Sequence, residues 1–492
     1  MAIASGVWTL STDARFNRAI GSAPAYLTPT QAARFERIRQ ARLLYRGQHE
    51  QYFLHEGRTQ FDFPRVNANG RELMLFVPYN LLKLISHKSA DLLFGAEPVI
   101  RVEDATQDAK LRDFADRSHL HAILLETEIE TSFAGEGIIA VSRQADQKVY
   151  AEQVPAEQIH PIGKLGPDRQ YTQYVRYAED NIGTEQTPVV LLLETTYRPG
   201  EIERHCWQMD NGVKKNEVSL EQWRGFADAV PPAIEKTGIP INTIVWIPNL
   251  LLSGEAISDY DGLIPLQDEL NAKQTQIARV LAKHADPKLR VPPSAADEKG
   301  NFPANHDVVF SENKDDYGYL VWDAQLASAL DDRKFTREAL CTAAEMSSVL
   351  LGLKEGAAPD AARKLRLEAT NSLSKAARKA TLRRPVIKRL LSIVQMLEHT
   401  VPGTRYDRGN VAVEVRDGLP VDEMDEAQIV SLYRSSRVMS VERAVQRQLT
   451  DPAAVAKELT TLNKENEAAM PSILLGESGI DETSSDTSTE DE

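Results

Sequence analysis

The sequence predicts an α+β fold, and three stretches carry that prediction. Between Ile138 and Glu217, short runs of alternating polar and apolar residues are separated by Pro199-Gly200 and Asp210-Asn211-Gly212, the pattern of strands joined by tight turns. From Ser258 to Asp323 an amphipathic helical stretch runs into an insert punctuated by proline and glycine, and a second helix follows it. From Asp360 to Thr400 a very long helical region is interrupted only by Pro385. A chain of 492 residues has room for roughly two to four domains.

Composition narrows the function. Hydrophobic residues make up 42% and charged residues 26%, an ordinary balance for a soluble protein able to build sizeable cores. Lys and Arg number 57 against 72 Asp and Glu, for a formal charge of −15. That argues against a tight sequence-independent nucleic-acid binder, whose affinity comes from cations displacing counterions. It permits a surface that DNA passes without sticking. Cys206 and Cys341 are the only cysteines, so no disulfide framework or Cys-rich zinc site is expected, and a reducing cytosol is. The N-terminus lacks a basic segment followed by an apolar run, so no signal peptide is expected. No apolar run approaches membrane-spanning length.

In chain order, residues 1–24 read as a loosely ordered arm. Thr28-Pro29-Thr30 opens a helix that Gly47 closes. A second helix covers Asn80 to Phe94, ends at Gly95 and precedes a strand at Glu97–Val102. His87 lies on it with no partner histidine at metal spacing, which favours a structural or surface role over a ligand role. A third helix is expected from Asp108 to Phe133, broken by Gly135-Glu136-Gly137. Strands then follow at Ile138–Ser142, Val149–Val154, Gln170–Ala178, Val189–Tyr197, Glu201–Gln208 and Gly212–Glu217, and Ile244–Asn249 brings the chain to the next helical stretch.

The first half of the 258–323 stretch is a rod. Ser258 or Asp259 can cap it, Pro265 is tolerable in its first turn, and Asp286-Pro287 stops it. Leu263, Leu266, Leu270, Ile277 and Leu281 form its apolar stripe. A helix over 259–286 would be about 42 Å long. Lys288–Val291, Val308–Phe310 and Tyr319–Trp322 are expected as short strands at the tip, and Asp323 caps the return helix, Ala324–Leu351. Gly352 to Pro359 is a loop. In the helical region after it, Arg363, Lys364, Arg366, Lys375, Arg378, Lys379, Arg383, Arg384, Lys388 and Arg389 face a single acid, Glu368. A solvated helix face is the expectation for most of them; DNA contact and pairing with acids of a neighbouring subunit are the other readings. A strand at Val411–Val415 and three helices, Asp422–Arg434, Ser440–Leu449 and Pro452–Ala468, follow. The tail from Glu477 is acidic, nearly free of apolar residues and expected to be disordered.

Catalytic signatures are mostly missing. There is no GxxxxGK[ST] phosphate loop and no GxGxxG after a strand. Gly476-Glu477-Ser478-Gly479 is not a GxSxG elbow, and His49-Glu50 lacks the second histidine of HExxH. Asp315-Asp316 and Asp331-Asp332 are adjacent carboxylates that do not share a face of a helix or strand. His205 beside Cys206 shows no further ligand. No enzyme activity, cofactor or metal is expected.

Several motifs, in this order, resemble the portal, or head-to-tail connector, proteins of tailed double-stranded-DNA bacteriophages of the siphophage type. Tyr45-Arg46-Gly47-Gln48-His49 resembles the family's early Y-x-G-x-H. Asn80 to Gly95 resembles its helix ending at a glycine before a strand, and Val154-Pro155-Ala156 to Pro161 its spaced-proline turn. Ile247-Pro248-Asn249, Ser258-Asp259 and Leu270-Asn271 are similar to its approach to the stem, and Gly418-Leu419-Pro420 to the start of its last domain. The chain departs from the pattern in having Glu255-Ala256-Ile257 where a glycine often precedes Ser-Asp. The resemblance spans roughly residues 30–470.

The resemblance implies a portal fold and a division of labour. Residues 25–258 would be the wing, 259–286 and 324–352 the stem helices, and 287–323 the clip. Residues 353–361 would be the tunnel loop, 362–420 the long wing helix and closing strand, 421–470 the helical crown and 471–492 the acidic tail. It implies a homo-oligomeric ring, dodecameric in the virion, at one capsid vertex and assembled in the host cytoplasm. Viral DNA would pass its channel, and terminase, head-completion (adaptor), capsid and scaffold proteins would be its partners, with no membrane. Lys354, Arg363 and Lys364 would face DNA, Leu266, Leu270, Ile277 and Leu281 would meet neighbouring copies, and Lys288, Arg290 and Trp322 would dock partners. Two other classes stay open: another phage head structural protein, or a cytosolic α/β enzyme with an unrecognised site.

Overall fold

The computed structural model describes residues 23–49, 51–52, 76–144, 146–183, 188–226, 230–285, 289–292, 308–310, 318–319, 326–353, 362–400, 411–419, 423–448 and 452–469. The arm before residue 23, the tunnel-loop positions 354–361 and the acidic tail lie outside them. The chain divides into two compact units, residues 1–419 and 420–492.

The first unit opens with α1 (Pro29–Tyr45), capped by Thr28 in a reciprocal box with Gln31. Gly47, at φ +78°, turns the chain out of it. Helix α2 (Leu81–Phe94) is capped by Asn80 and buries Leu82, Ile85 and Leu93. The helix expected from Asp108 to Phe133 is two helices, α3 (Ala105–Ser118) and α4 (Leu120–Ala134). His119 divides them in the left-handed conformation, a break no glycine or proline announces. It lets Leu111 and Phe114 of α3, and Leu120 and Leu124 of α4, enter the same core.

Strand β1 (Val99–Arg101) precedes α3. Strands β2 (Glu136–Arg143) and β3 (Val149–Gln153) join β10 (Ile244–Pro248) in an antiparallel sheet ordered β10-β2-β3. The run Ile138-Ile139-Ala140-Val141 is buried on both faces: Ile139 and Val141 pack into the main core with the helices, Ile138 and Ala140 into a second cluster around Trp246. The second, larger sheet contains β4 (Ile159–Ile162), β5 (Gln173–Asn181), β6 (Val190–Arg198), β7 (Glu201–Asp210) and β8 (Val213–Val218) in that order, with β9 (Ile234–Lys236) also on β7. Its hairpins turn where the glycine signals predict, at Gly200 and at Asn211-Gly212, all at positive φ. Strands β11 (Leu250–Leu252) and β12 (Glu255–Ile257) form a small hairpin.

A helical hairpin follows. Helix α5 (Ile264–Ala285) begins five residues later than expected and spans about 33 Å. Ser258 and Asp259 lie ahead of it in a turn, so Pro265 sits in its first turn as required. At the tip β13 (Leu289–Val291) pairs in parallel with β14 (Val308–Phe310) and antiparallel with β15 (Gly318–Tyr319). Helix α6 (Leu326–Ala343) returns beside α5. Lys273 donates to Thr336 Oγ1 at 2.7 Å and pairs with Asp332, and Arg333 donates to Gln274 at 2.7 Å.

The return helix ends eight residues before the expected Leu351. Glu345 N–H donates to the Thr342 carbonyl and Met346 N–H to that of Cys341, closing α6 in a Schellman turn with Glu345 at φ +55°. That turn needs glycine's conformation but is made here by glutamate, so the sequence hides it. The long helical region is also split, into α7 (Ala362–Glu368) and α8 (Thr370–His399), with Thr370 Oγ1 donating to the Leu367 carbonyl at the joint. Helix α8 continues through Pro385. Its second half, with Leu390, Leu391 and Val394, closes the main core. Strand β16 (Ala412–Glu414) pairs with β1.

The second unit contains α9 (Glu423–Ser435), α10 (Val441–Gln448) and α11 (Pro452–Ala469). Ser440 caps α10, accepting from the Arg443 N–H at 3.2 Å.

Candidate functional site

The hairpin is rooted in the first unit by a buried charge junction centred on Asp259. The chain reaches it along β10 and β11–β12. Asn249 N–H donates to the Gly135 carbonyl, and Ser258 Oγ donates to the carbonyls of Phe133 (2.7 Å) and Ser132 (3.2 Å), so the turn before α5 is laced to the end of α4. This places the Asp259 carboxylate among polar groups from four elements. Oδ2 accepts from Lys379 Nζ at 2.6 Å and Ser132 Oγ at 2.7 Å, and Oδ1 from Asn249 Nδ2 at 3.1 Å. Lys375 Nζ stands 3.0 Å from Oδ1. One turn further along α8, Arg383 grips Glu128 of α4 with two hydrogen bonds and donates to the Pro248 carbonyl at 2.5 Å. Lys379 also donates to Ser89 Oγ of α2 at 2.7 Å.

Burial opposes ionisation of Asp259, but the Lys379 and Lys375 ammonium groups outweigh it and hold the carboxyl well below its ordinary range. Burial also pulls Lys379 below lysine's ordinary value, against the attraction of Asp259 and Glu128. A buried pair of this kind is costly to break from one side, because the remaining charge is left without water or partner. Chemically the junction is a joint: it ties α2, α4, β10 and α8 to the first residue of the hairpin's approach.

The solvated-face expectation is corrected for three of the ten cations. Lys375, Lys379 and Arg383 are buried and pair with acids of their own chain. A signal for them existed. The core stripe Val386, Leu390, Val394 and Leu397, continued backwards at helical spacing, lands on Arg383, Lys379 and Lys375. Arg389 pairs with Asp168, and Arg366 with Asp417. Arg384 and Lys388 are exposed.

A second cluster joins the quoted motifs to the hairpin. Tyr45 OH lies 2.9 Å from His87 Nε2. His49 Nδ1 lies 3.0 Å from Asn271 Nδ2 of α5, whose Oδ1 accepts from the Tyr79 N–H and from Gln267. Burial pushes the His49 imidazole down to about 4, against a weaker pull from Asn80. Asn80 Nδ2 donates to the Leu44 and Tyr45 carbonyls, so one asparagine caps α2 and closes α1. Gly95 and Gly418 also meet: a Cβ on Gly418 would stand 2.9 Å from the Gly95 Cα.

The other expected site residues are placed less favourably. Leu270 and Ile277 are buried within the one chain, at 1% and 5% exposure, and Leu270 belongs to its main core. That leaves neither with surface for a neighbouring copy. Leu266 is half-buried against the same core, whereas Leu281 is 51% exposed. Lys364 is exposed on α7, and Arg363 lies in the backbone of that helix. Arg290 lies in β13. Lys354, Lys288 and Trp322 fall outside the described residues. Among those residues no cluster of His, Cys, Asp and Glu could hold a metal ion, and no helix is long and apolar enough to cross a membrane.

Residues 25–472 match the family model described as phage portal protein, SPP1 Gp6-like. The chain belongs to that phage portal family. Two solved structures are similar at 11% identity. One, from the virion of a native gene transfer agent particle, has a TM-score of 0.39 and covers 75% of this chain and 88% of its own. The other, from the neck of such a particle computed with C12 symmetry, has a TM-score of 0.38 and covers 74% and 86%. No curated protein matches the sequence.

Proposed function

We propose that copies of this chain assemble into a ring, dodecameric in the virion, whose channel passes double-stranded viral DNA at one capsid vertex. Its role is structural, not catalytic. The observation that carries this reading is membership of the portal family over residues 25–472. The hairpin supports it: two helices run side by side and are rooted in a mixed helix-and-sheet body by buried ion pairs, a firm base for a wall that would bear load. On this reading α5 and α6 are the stem, the β13–β15 tip is the clip that docks terminase and head-completion proteins, and α9–α11 form the crown. Lys288, Arg290 and Trp322 serve docking, while Lys354, Arg363 and Lys364 approach the DNA. Exposed Leu281, together with Leu330 and Phe335 of α6, is offered to neighbouring copies in place of buried Leu270 and Ile277. Electron microscopy of the purified full chain tests the reading. Rings with a central hole are expected; a chain that stays monomeric at every concentration and salt tried overturns it.

A further inference from the structure

Helix α8 holds the exit of the hairpin as well as its root. Where α6 ends, Ser347 N–H donates to Ser372 Oγ at 2.8 Å, Lys375 Nζ donates to the Ala344 carbonyl at 2.9 Å, and Arg378 pairs with Glu345. Positions 372, 375 and 378 are three apart, so they form one line along α8 facing the Schellman turn. Of these, Lys375 alone is also in contact with the other leg, through Asp259 Oδ1 at 3.0 Å. One buried ammonium therefore bridges the chain about to enter α5 and the chain that has just left α6.

The charges explain why a lysine suits this position. Lys375, Lys379 and Arg383 are three cations against the two carboxylates Asp259 and Glu128. The carbonyl end of α6 carries the negative pole of that helix, and Ala344 stands at it. Lys375 thus takes its second acceptor from a helix terminus rather than from a third acid.

We infer that Lys375 is a positioning residue that holds both legs of the hairpin on the long helix, so that the two roots and α8 move as one body. Its consequence for DNA passage rests on the portal reading; the coupling itself does not. Removing the ammonium leaves Asp259 still bonded to Lys379, Ser132 and Asn249, so the root keeps most of its partners. What is lost is the one side chain that touches both roots; Lys273 and Arg333 still join α5 to α6 further along the hairpin.

Hydrogen exchange of the full chain, wild type against Lys375→Met, tests this. Amides at 258–263 and at 344–353 are expected to exchange together about tenfold faster or more, as the loss of hydrogen bonds to a charged group permits, with the β5–β8 sheet unchanged. Faster exchange at one root only, at neither, or throughout the chain overturns the inference. Should Lys375→Met fail to fold, Ser372→Ala decides: it removes the Ser347 bond but not the ammonium, so only 344–353 should loosen. Equal loosening of both roots by Ser372→Ala would show that Lys375 has no special role. Wild-type chain that forms no rings would refute the portal reading while leaving the exchange result to stand or fall alone.

Discussion

Arg383 and Glu128 lie 255 positions apart and meet through two parallel hydrogen bonds, Nε to Oε2 at 2.5 Å and Nη2 to Oε1 at 3.0 Å. The pair is buried, and the guanidinium spends its remaining reach on the Pro248 carbonyl. Only a planar fork can serve all three bonds at once. It fixes the middle of α8 against α4 and the end of β10, one helical turn along α8 from Lys379, which holds Asp259 at the root of the hairpin.

Arg383→Met is expected to lower stability by about 3–5 kcal/mol, the usual result of stranding a buried charge. Arg383→Lys keeps the charge but loses the fork and should fall in between. The double variant Arg383→Met, Glu128→Leu should be less unstable than Arg383→Met alone, since no charge is stranded. Denaturant unfolding of the four proteins measures this. An Arg383→Met chain within about 0.5 kcal/mol of wild type would show that the pair adds little to the joint.

His49 makes stability depend on pH in a defined window. Its folded value is about 4 against 6.5 for the free side chain. As pH falls below about 6.5 the unfolded chain takes the proton first, so this stabilisation is complete above that point and is lost as pH falls through about 4. The shift corresponds to about 3 kcal/mol. His160, lowered by burial and by Arg34 to about 3, adds a similar dependence extending further into acid. His49→Asn should therefore flatten, without abolishing, the slope of unfolding free energy between pH 6.5 and 4. An unchanged slope would mean that His49 titrates normally.

Much of the fold was legible because local chemistry and tertiary packing agree. Thr28 and Asn80 cap where they should, the Asn211-Gly212 turn closes the hairpin it predicts, and the alternation from β5 to β8 marks a real sheet. What stayed hidden lay where tertiary packing overrides a weak local signal. His119 and Glu345 adopt left-handed backbone that their residue types do not advertise. Lys375, Lys379 and Arg383 look like solvent residues because their partners, Asp259 and Glu128, come from distant parts of the chain. Each quoted motif was visible, but not that Tyr45, His49, Asn80 and Asn271 converge on one end of the hairpin.

Burial separates Leu270 from Leu281, although both belong to one stripe in the sequence. Leu270→Asp places a carboxylate in the main core and should cost more than about 3 kcal/mol or prevent folding. Leu281→Asp changes an exposed position and should leave the unfolding free energy of the dissociated chain within about 0.5 kcal/mol. Smaller particles after polar substitution at Leu270 or Ile277 would therefore report damage to the chain itself. The same outcome at Leu281, with a stable chain, would report a lost neighbour. Circular dichroism melts beside light scattering distinguish the two. Equal melting loss for both variants would contradict the burial difference.

Gly95 and Gly418 bring two distant motifs together, and neither has room for a methyl group. A Cβ at either position would overlap the Asp91 carbonyl oxygen, which already accepts the Gly95 N–H at 2.8 Å to close α2. A Cβ at Gly418 would also press on the Gly95 Cα, and one at Gly95 on the Gly418 Cα. The obstacle is backbone, which cannot swing aside as the end of a side chain can. Gly418→Ala and Gly95→Ala should each cost about 1–3 kcal/mol, the range for an overpacked contact. Because both methyls would push on the same carbonyl, a shift that admits one makes room for the other. The double variant should then lose less than the sum of the single losses. Gly254 is the control: a Cβ there meets nothing within 4 Å, so its replacement tests only the strain of φ +88°. Thermal unfolding of the three single variants and the double decides the matter. If Gly418→Ala melts with the wild type, the close approach of the two glycines is not a constraint on the fold.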